Sequence, residues 1–383
     1  MNNNRTDTKP SLLLVANWDS NVGYAWWLME CYWARIAAQY SDRYRIILAF
    51  PTISSIPEHL QTEQIECVEF AFAQGWGIGI LKRAQFIWRN RIKLIYLTDH
   101  PSYSPLYLLY RCLGVKWIIT HDHSPGQRYT PTGIKQFVKS LFNRFSWISA
   151  SACIGATEYV KERLRRVNCI PSQKCFAAPN GIPLRSLQGD KQVLRRRLGL
   201  AEANQIIVTV ARANKYKGID FALDVFALIA QTNPELNFTY LMLGDGPHLA
   251  EFKQRAAQLG LAERVVFLGR VESVDDYLMA CDIALHPSLG EVGYCLAILE
   301  YMLAKLPVVV PDNPSVCGAT SAETGVIYPE FNVAAAAQAL VELMQQPLVR
   351  EQKGNASRLA VEEHFNLEKS QQALINIFNT IVR

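Results

Sequence analysis

No stretch of the chain approaches about 18 uninterrupted apolar residues, so no membrane-spanning helix is expected. The opening run "SLLLVAN" is too short for a secretory leader before Asn17 and Asp19 interrupt it, and it reads as a strand. The nine cysteines are odd in number, scattered, and form no CxxC pair. That excludes a disulfide framework or a zinc knuckle and fits the reduced thiols of a cytoplasm, each read as a small buried hydrophobe. No Asp-x-Asp occurs, and the early GxGxxG fingerprint of a dehydrogenase is missing. There is no low-complexity tract, and with half the residues hydrophobic and 19% charged the composition is that of a globular protein.

What is present is length and rhythm. A chain of 383 residues exceeds one ordinary core, so two domains are expected. Short apolar strands ("SLLLVAN", "RIILAF", "LIYLTD", "KWIITHD", "SACIGAT") alternate with helical stretches such as "AWWLMECYWARIAAQY" and "SPLYLLYRCLG". A second series starts after about residue 186, with strands "QIIVTVA", "NFTYLMLGDG", "RVVFLGR", "CDIALHPS" and "LPVVVPD" and helices "GIDFALDVFALIAQ" and "HLAEFKQRAAQLGL". This is the pattern of parallel sheets covered on both faces. The Asn-Gly and two prolines of "AAPNGIPLRSLQGDK" mark the boundary. The expected domains are 1–185, 186–365 and a C-terminal helix over 366–383 packing back toward the first. Net charge is +5 but uneven: residues 1–180 hold 21 Lys and Arg against 12 Asp and Glu, the remainder 18 against 22. Different partners for the two halves follow.

Three loops of the rear half carry chemistry. In "VTVARANKYKGIDFALDVF", Arg212 follows a strand and Lys217-Gly218 precedes a helix. A forked donor and a point charge suit a diphosphate; two solvated loop cations are the other reading. "LMLGDGPHL" sets Gly244, Asp245 and Gly246 at a strand end, where Asp245 either contacts a nucleotide or stabilises the turn. "GEVGYCLAILEYMLAKLPVVV" brackets an apolar helical run with Glu291 and Glu300.

In order, "VARANKYKG", "LMLGDGP", "VVFLGRV", "ALHPSLGE" and "LAILEYMLAKLPVVV" resemble the rear domain of retaining GT-B-fold nucleotide-sugar glycosyltransferases of the Glu-x7-Glu group, known as glycosyl transferases group 1. "ATEYVKERL" and "CFAAPNGIP" match as well, so the resemblance spans residues 150–375 closely and the front more loosely. It implies an α/β, GT-B fold of two doubly wound Rossmann-like domains facing across a cleft. It also implies that Glu291 lies near the transferred sugar and that Glu300, at a helix start, accepts hydrogen bonds from the ribose. The helix N-terminus between them would face the diphosphate, with backbone donors from Gly293, Tyr294, Cys295 and Leu296, and Gly244 nearby. Glu291 and Glu300 are separated by eight residues rather than seven. The extra residue falls in "VGYC", a loop that tolerates insertion.

At the front, "ANWDSNVGYAWW" stands where the family has a glycine loop and keeps only Gly23, so it is either a phosphate- or sugar-binding turn or a simple strand-to-helix turn. "WIITHDHSPG" gives His121, matching the family histidine that contacts the donor sugar, and His123. A metal between these histidines is not expected, on the argument that alternating strand positions point opposite ways. "LTDHPSY" adds Asp99 and His100 at another strand end. "GIKQFVKSLFNRFSW" is a basic amphipathic helix that either lies on an anionic membrane or packs its apolar face on the sheet.

The expectation is a cytoplasmic, metal-independent, retaining glycosyltransferase. It would move a sugar from a UDP-, GDP- or ADP-linked donor, with no separate cofactor, to an acceptor sugar or lipid-linked glycan in surface polysaccharide or lipopolysaccharide synthesis. Arg212 and Lys217 would stabilise the leaving diphosphate, Glu291 would orient the sugar, and His121 would contact it from the front domain. Peripheral contact with an anionic membrane through the basic front half is part of this reading; nucleic acid is not, since no binding motif supports it. The rival readings are an epimerase on the same fold and a non-catalytic sugar- or lipid-binding protein that has kept it.

Overall fold

The computed structural model describes residues 9–23, 26–72, 77–201 and 204–382. The chain divides into two compact units: Met1–Ser124, Arg128–Asn180 and Ser370–Arg383 form unit 1, and Pro125–Gln127 with Gly181–Lys369 form unit 2. In unit 1 the elements run β1 (Ser11–Val15), α1 (Trp27–Tyr40), β2 (Arg45–Phe50), β3 (Ile65–Glu69), α2 (Ile78–Arg89), β4 (Ile92–Thr98), α3 (Pro105–Cys112), β5 (Trp117–Asp122), α4 (Gly133–Arg144), β6 (Ala152–Gly155), α5 (Glu158–Arg166) and β7 (Cys175–Ala177). Unit 2 continues with α6 (Lys191–Arg197), β8 (Gln205–Val210), α7 (Ile219–Thr232), β9 (Phe238–Leu243), α8 (Leu249–Gln258), β10 (Val265–Gly269), α9 (Val274–Ala280), β11 (Ile283–Leu285), α10 (Leu296–Leu303), β12 (Val308–Pro311), β13 (Gly325–Tyr328), α11 (Val333–Gln345) and α12 (Pro347–His364). The last helix, α13 (Leu367–Ile381), lies from Ser370 onward in unit 1.

Each unit holds one all-parallel sheet, ordered β3-β2-β1-β4-β5-β6-β7 and β10-β9-β8-β11-β12-β13. Strands covered on both faces need apolar side chains at every position, and "SLLLV" of β1 and "FTYLML" of β9 are buried throughout. The apolar runs named from the sequence are all strands. The structure adds β3, β7 and β13, which the sequence pattern did not mark. β3 and β13 are sheet edges with partly exposed residues, and β7 is an edge of three residues. An edge strand needs no continuous apolar run, so "IECVE" keeps Glu66 and Glu69 facing water.

In both sheets the strand order reverses once, at β1/β4 and at β8/β11, because the crossovers leave the first strand in opposite directions. Ligands in such sheets bind beyond the carboxyl ends of the strands at that reversal. Helices press the sheets from both sides. In unit 2, Phe226 of α7 stacks on Tyr240 at 4.4 Å and on Phe238 at 5.4 Å. In unit 1, α1 buries Tyr32, Trp33 and Tyr40, and α13 closes over it. Tyr32 Oη and Ser370 Oγ are hydrogen-bonded at 2.5 Å, Tyr40 Oη donates to Asn379 Oδ1 at 2.7 Å, and Phe378 lies 5.9 Å from the Tyr40 ring and 5.4 Å from the Tyr96 ring.

Phe378 is wholly buried, so Phe378→Ala should cost unit 1 about 3–5 kcal/mol. All eight tryptophans lie between residues 18 and 147. Tryptophan fluorescence during urea unfolding therefore reads unit 1 alone and should show the loss; an unchanged midpoint would mean α13 adds nothing to that core.

Candidate active site

The rear site forms where the loops after β8 and β11 meet. β8 ends at Val210, Arg212 stands exposed in the turn, and residues 215–217 make one 3-10 turn before Gly218 opens α7. Gly218 has φ +71°, and a Cβ there would lie 1.9 Å from the carbonyl oxygen of Pro287. No other residue satisfies both conditions. This close approach presses the Lys217 loop onto the 286–291 loop that follows β11. The Lys217 ammonium consequently forms an ion pair with Glu291 Oε1, their side chains only 12% and 7% exposed.

Two residues whose side chains no sequence motif marks complete the cluster. His286 Nε2 lies 3.1 Å from the same Glu291 oxygen, and Cys295 Sγ lies 3.3 Å from His286 Nε2. Among the described residues, His286, Glu291 and Cys295 are the one group of His, Cys and acidic side chains close enough to share a cation, their ligand atoms within 4.8 Å of one another. The Lys217 ammonium already supplies the positive charge there. Burial alone would push the Glu291 carboxyl up, but Lys217 and His286 together hold it down at about 2. Burial alone would lower His286; Cys295 and Glu291 outweigh it and raise the imidazole to about 9. Lys217 is raised too, because Glu291 outweighs its burial. At neutral pH two cations therefore share one carboxylate beneath the start of α10.

α10 begins at Leu296, with Cys295 as an N-cap that makes no side-chain capping bond. The helix N-terminus thus lies between the two glutamates, and its first N–H groups have no partner within the helix. Glu300 is not at the helix start, as the resemblance implied, but one turn in, since α10 begins at Leu296. Burial raises its carboxyl to about 7, against the lowering pull of Arg185, which is held bidentate by Asp275 at 2.6 Å. Gly293 cannot offer the open backbone donor expected of it, since its N–H donates to the Ser315 carbonyl at 2.8 Å. Gly244 is committed likewise, to the Gly269 carbonyl at 2.7 Å. Asp245 takes the turn role, accepting the N–H of Gly246 at 2.7 Å. Tyr294 is buried with its ring edge-on to Phe365 at 5.2 Å.

In unit 1 the corresponding reversal lies at β1/β4. Asn17, after β1, donates to the Thr98 carbonyl at the end of β4, and His100 Nδ1 donates to the same carbonyl at 2.8 Å. His121 ends β5 beside Thr98, wholly buried, with Nδ1 2.5 Å from Tyr96 Oη and Nε2 without a hydrogen-bond partner among the described residues. His121 and His123 share one face, contrary to the expectation that they point opposite ways. Two residues on, a strand returns to the same face, and the two rings lie 4.2 Å apart. Burial and mutual repulsion push His121 well below the usual range, and burial lowers His123 to about 4, so both are neutral. Gly23 keeps a left-handed φ of +74° in the β1 loop. Ser20 in that loop is no free ligand, for its Oγ donates to the Ser55 carbonyl at 2.6 Å and accepts the Ser54 N–H at 3.1 Å.

The His286 shift has a consequence for stability. Its folded pKa lies above its unfolded one, so its contribution is complete below about 6.5 and is lost as the pH rises through about 9. The full effect is up to about 3 kcal/mol. Urea denaturation across that window should show the decline, and His286→Gln should flatten it; a flat wild-type profile would mean a neutral His286. Glu291→Ala, which strands both cations, should cost about 3–5 kcal/mol.

The chain is similar to known proteins in sequence and in fold. The family model of the glycosyl transferases group 1 matches residues 204–346. A lipopolysaccharide core biosynthesis mannosyltransferase of Rhizobium meliloti is 29% identical over 202 residues, 51% of this chain and 57% of that protein. The chain spans about half the length of the first curated relatives it matches. Among solved structures, a glycosyltransferase from Rickettsia africae superposes with a TM-score of 0.76 at 15% identity over 98% of this chain and 99% of that one. The Anabaena protein HepE, solved with UDP, gives 0.74 at 18% identity over 97% and 100%. Residues 204–346 are thus similar to the glycosyl transferases group 1, and the two Rossmann-like units have the GT-B fold.

Proposed function

We propose that this protein transfers a sugar from a nucleoside-diphosphate sugar to an acceptor hydroxyl, with retention and without a metal. The observation that carries the reading is the buried Lys217–Glu291–His286 cluster at the β8/β11 reversal, directly before the N-terminus of α10. It presents surplus positive charge and helix N–H groups at one point. Negative charge grows on the diphosphate as the glycosidic bond to it breaks, and fixed cations in a dry site stabilise that charge without reorganising. Lys217 is the buried cation, and Arg212, exposed on the same turn, is the forked donor for the outer oxygens. Glu291, ionised, orients the sugar hydroxyls. Glu300, one turn into α10, accepts hydrogen bonds from the ribose. In unit 1, His121 offers a sugar hydroxyl an imidazole nitrogen that lacks a partner and is neutral at working pH.

The acceptor in this reading is a sugar or lipid-linked glycan of surface polysaccharide or lipopolysaccharide synthesis, in line with the activity named for the Rhizobium relative. All nine cysteines are free, as suits a cytoplasmic enzyme, and the basic front half suits peripheral contact with a membrane. No helix among the described residues is long and apolar enough to cross one.

A thermal-shift and calorimetry panel of UDP, GDP, ADP and their sugars, each with and without EDTA, tests the reading. A nucleotide present at 100 times its dissociation constant should add about 2.7 kcal/mol of stability. Arg212→Ala and Lys217→Ala should each remove most of that gain; a panel in which no nucleotide binds would overturn the proposal. Ribose binding needs Glu300 as a carboxylate, and burial holds it up to about 7. Affinity for the nucleotide should therefore rise as the pH rises through about 7, and Glu300→Gln should abolish that slope.

A further inference from the structure

Helix α4 is mounted with its polar side inward. Its one fully buried residue is Asn143, whose Nδ2 donates to the carbonyls of Lys139 at 2.9 Å and Asn168 at 2.8 Å. Lys139 Nζ donates to the Val167 carbonyl at 3.0 Å on the same side. The large apolar residues face water: Ile134 is 84% exposed and Phe137 68%, with Leu141 and Phe145 about half exposed. A helix that merely covered the sheet would bury these four, which is the alternative the sequence left open. α2 shows the same habit, with Ile78, Leu81 and Trp88 each about 70% exposed.

The two helices belong to one layer. The connections β3→β4, β4→β5 and β5→β6 all step across the sheet in the same direction, so their right-handed crossovers put α2, α3 and α4 on one face, while α1 crosses the other way and lies opposite. The Tyr103 ring, just before α3, lies 5.4 Å from Phe142 of α4. Exposed apolar side chains of this number, gathered on one face, mark a surface that meets something less polar than water.

Charge says what that is. Between Glu69 and Glu158 the chain has eleven Lys and Arg and only two acids, Asp99 and Asp122. Asp122 is paired with Arg163 at 3.2 Å, and Asp99 accepts the His123 N–H at 2.6 Å. The layer's exposed charges are thus cations, among them Lys82, Arg89, Lys135 and Arg144. Apolar tips interleaved with cations, carried on helices rather than in a groove, fit a bilayer with anionic headgroups: side chains enter the acyl boundary while Lys and Arg stay at the phosphates.

We propose that the α2–α4 face of unit 1 docks on an anionic phospholipid bilayer, with α4 lying in the plane of the interface. This gives a defined surface to the membrane contact suggested above and rests on that part of the functional reading, not on the transfer chemistry. The test is flotation of the full chain with vesicles of equal phosphatidylglycerol and phosphatidylcholine, against phosphatidylcholine alone, without nucleotide. Binding should require the anionic lipid and weaken with salt. Each cation removed should cost about fivefold in partitioning, so Lys135→Gln with Arg144→Gln should lose about 25-fold. Ile134→Ser with Phe137→Ser, charges intact, should lose more than tenfold. Leu348→Ser, at an exposed leucine of unit 2, should change nothing. No binding, equal binding to both vesicles, or binding that survives both double variants would overturn the proposal. So would a dimer in light scattering that Ile134→Ser/Phe137→Ser dissolves while vesicle binding persists, since the face would then serve a second copy of the chain. Nucleotide binding, measured separately on the same variants, should not move; its absence in the wild type would indict the transferase reading and leave the docking result standing.

Discussion

One approach of backbone to backbone organises the rear site. Gly218 sits against the carbonyl of Pro287, and from that contact everything else follows. It brings a lysine from one side of the sheet's reversal against a glutamate from the other. Neither charge could be buried alone, because a desolvated ion without a partner costs several kcal/mol. The glutamate is then shared with His286, and the surplus of positive charge that results lies at the start of α10. Local sequence supplies the pieces; the loop contact turns them into a site.

The two units use the same topology for different chemistry. At the reversal in unit 2 the groups are ionised and hold one another in that state. At the reversal in unit 1 an asparagine, a backbone carbonyl and histidines that burial keeps unprotonated stand beside Asp99, whose carboxyl burial raises to about 6. Ions suit phosphate, whereas neutral donors and acceptors suit hydroxyls. In the proposed reading phosphate falls to unit 2 and hydroxyls to unit 1, on sheets of nearly identical order.

Much of this was legible in the sequence. Buried parallel strands require continuous apolar runs, and every such run is a strand. The strands that escaped are edges, where that requirement lapses. Lys217 was marked by its loop between a strand and a helix and Glu291 by the resemblance, but their ion pair was not, since they lie 74 positions apart and only the fold brings them together. His286 stood in plain view in "ALHPS"; a single histidine at a strand end gives no sign that it will meet Glu291 and Cys295. Backbone donors were the weakest expectation. Whether the N–H of Gly293 or Gly244 is open depends on a partner carbonyl elsewhere in the fold, and both are taken. The front histidines were misplaced by an error of counting along a strand rather than by any want of signal.

Helix α13 has a consequence for how the chain is made. The strands of unit 1 are made before those of unit 2, yet Tyr32, Tyr40 and Tyr96 wait for Ser370, Asn379 and Phe378. Until the whole of unit 2 has been synthesised, the aromatic wall of α1 has no cover. Domains usually fold as they emerge, N-terminal first; here the earlier one is held open longest. Its exposed aromatic seam during that interval is where aggregation or chaperone capture would begin, and it closes only through contacts more than three hundred residues apart in the chain.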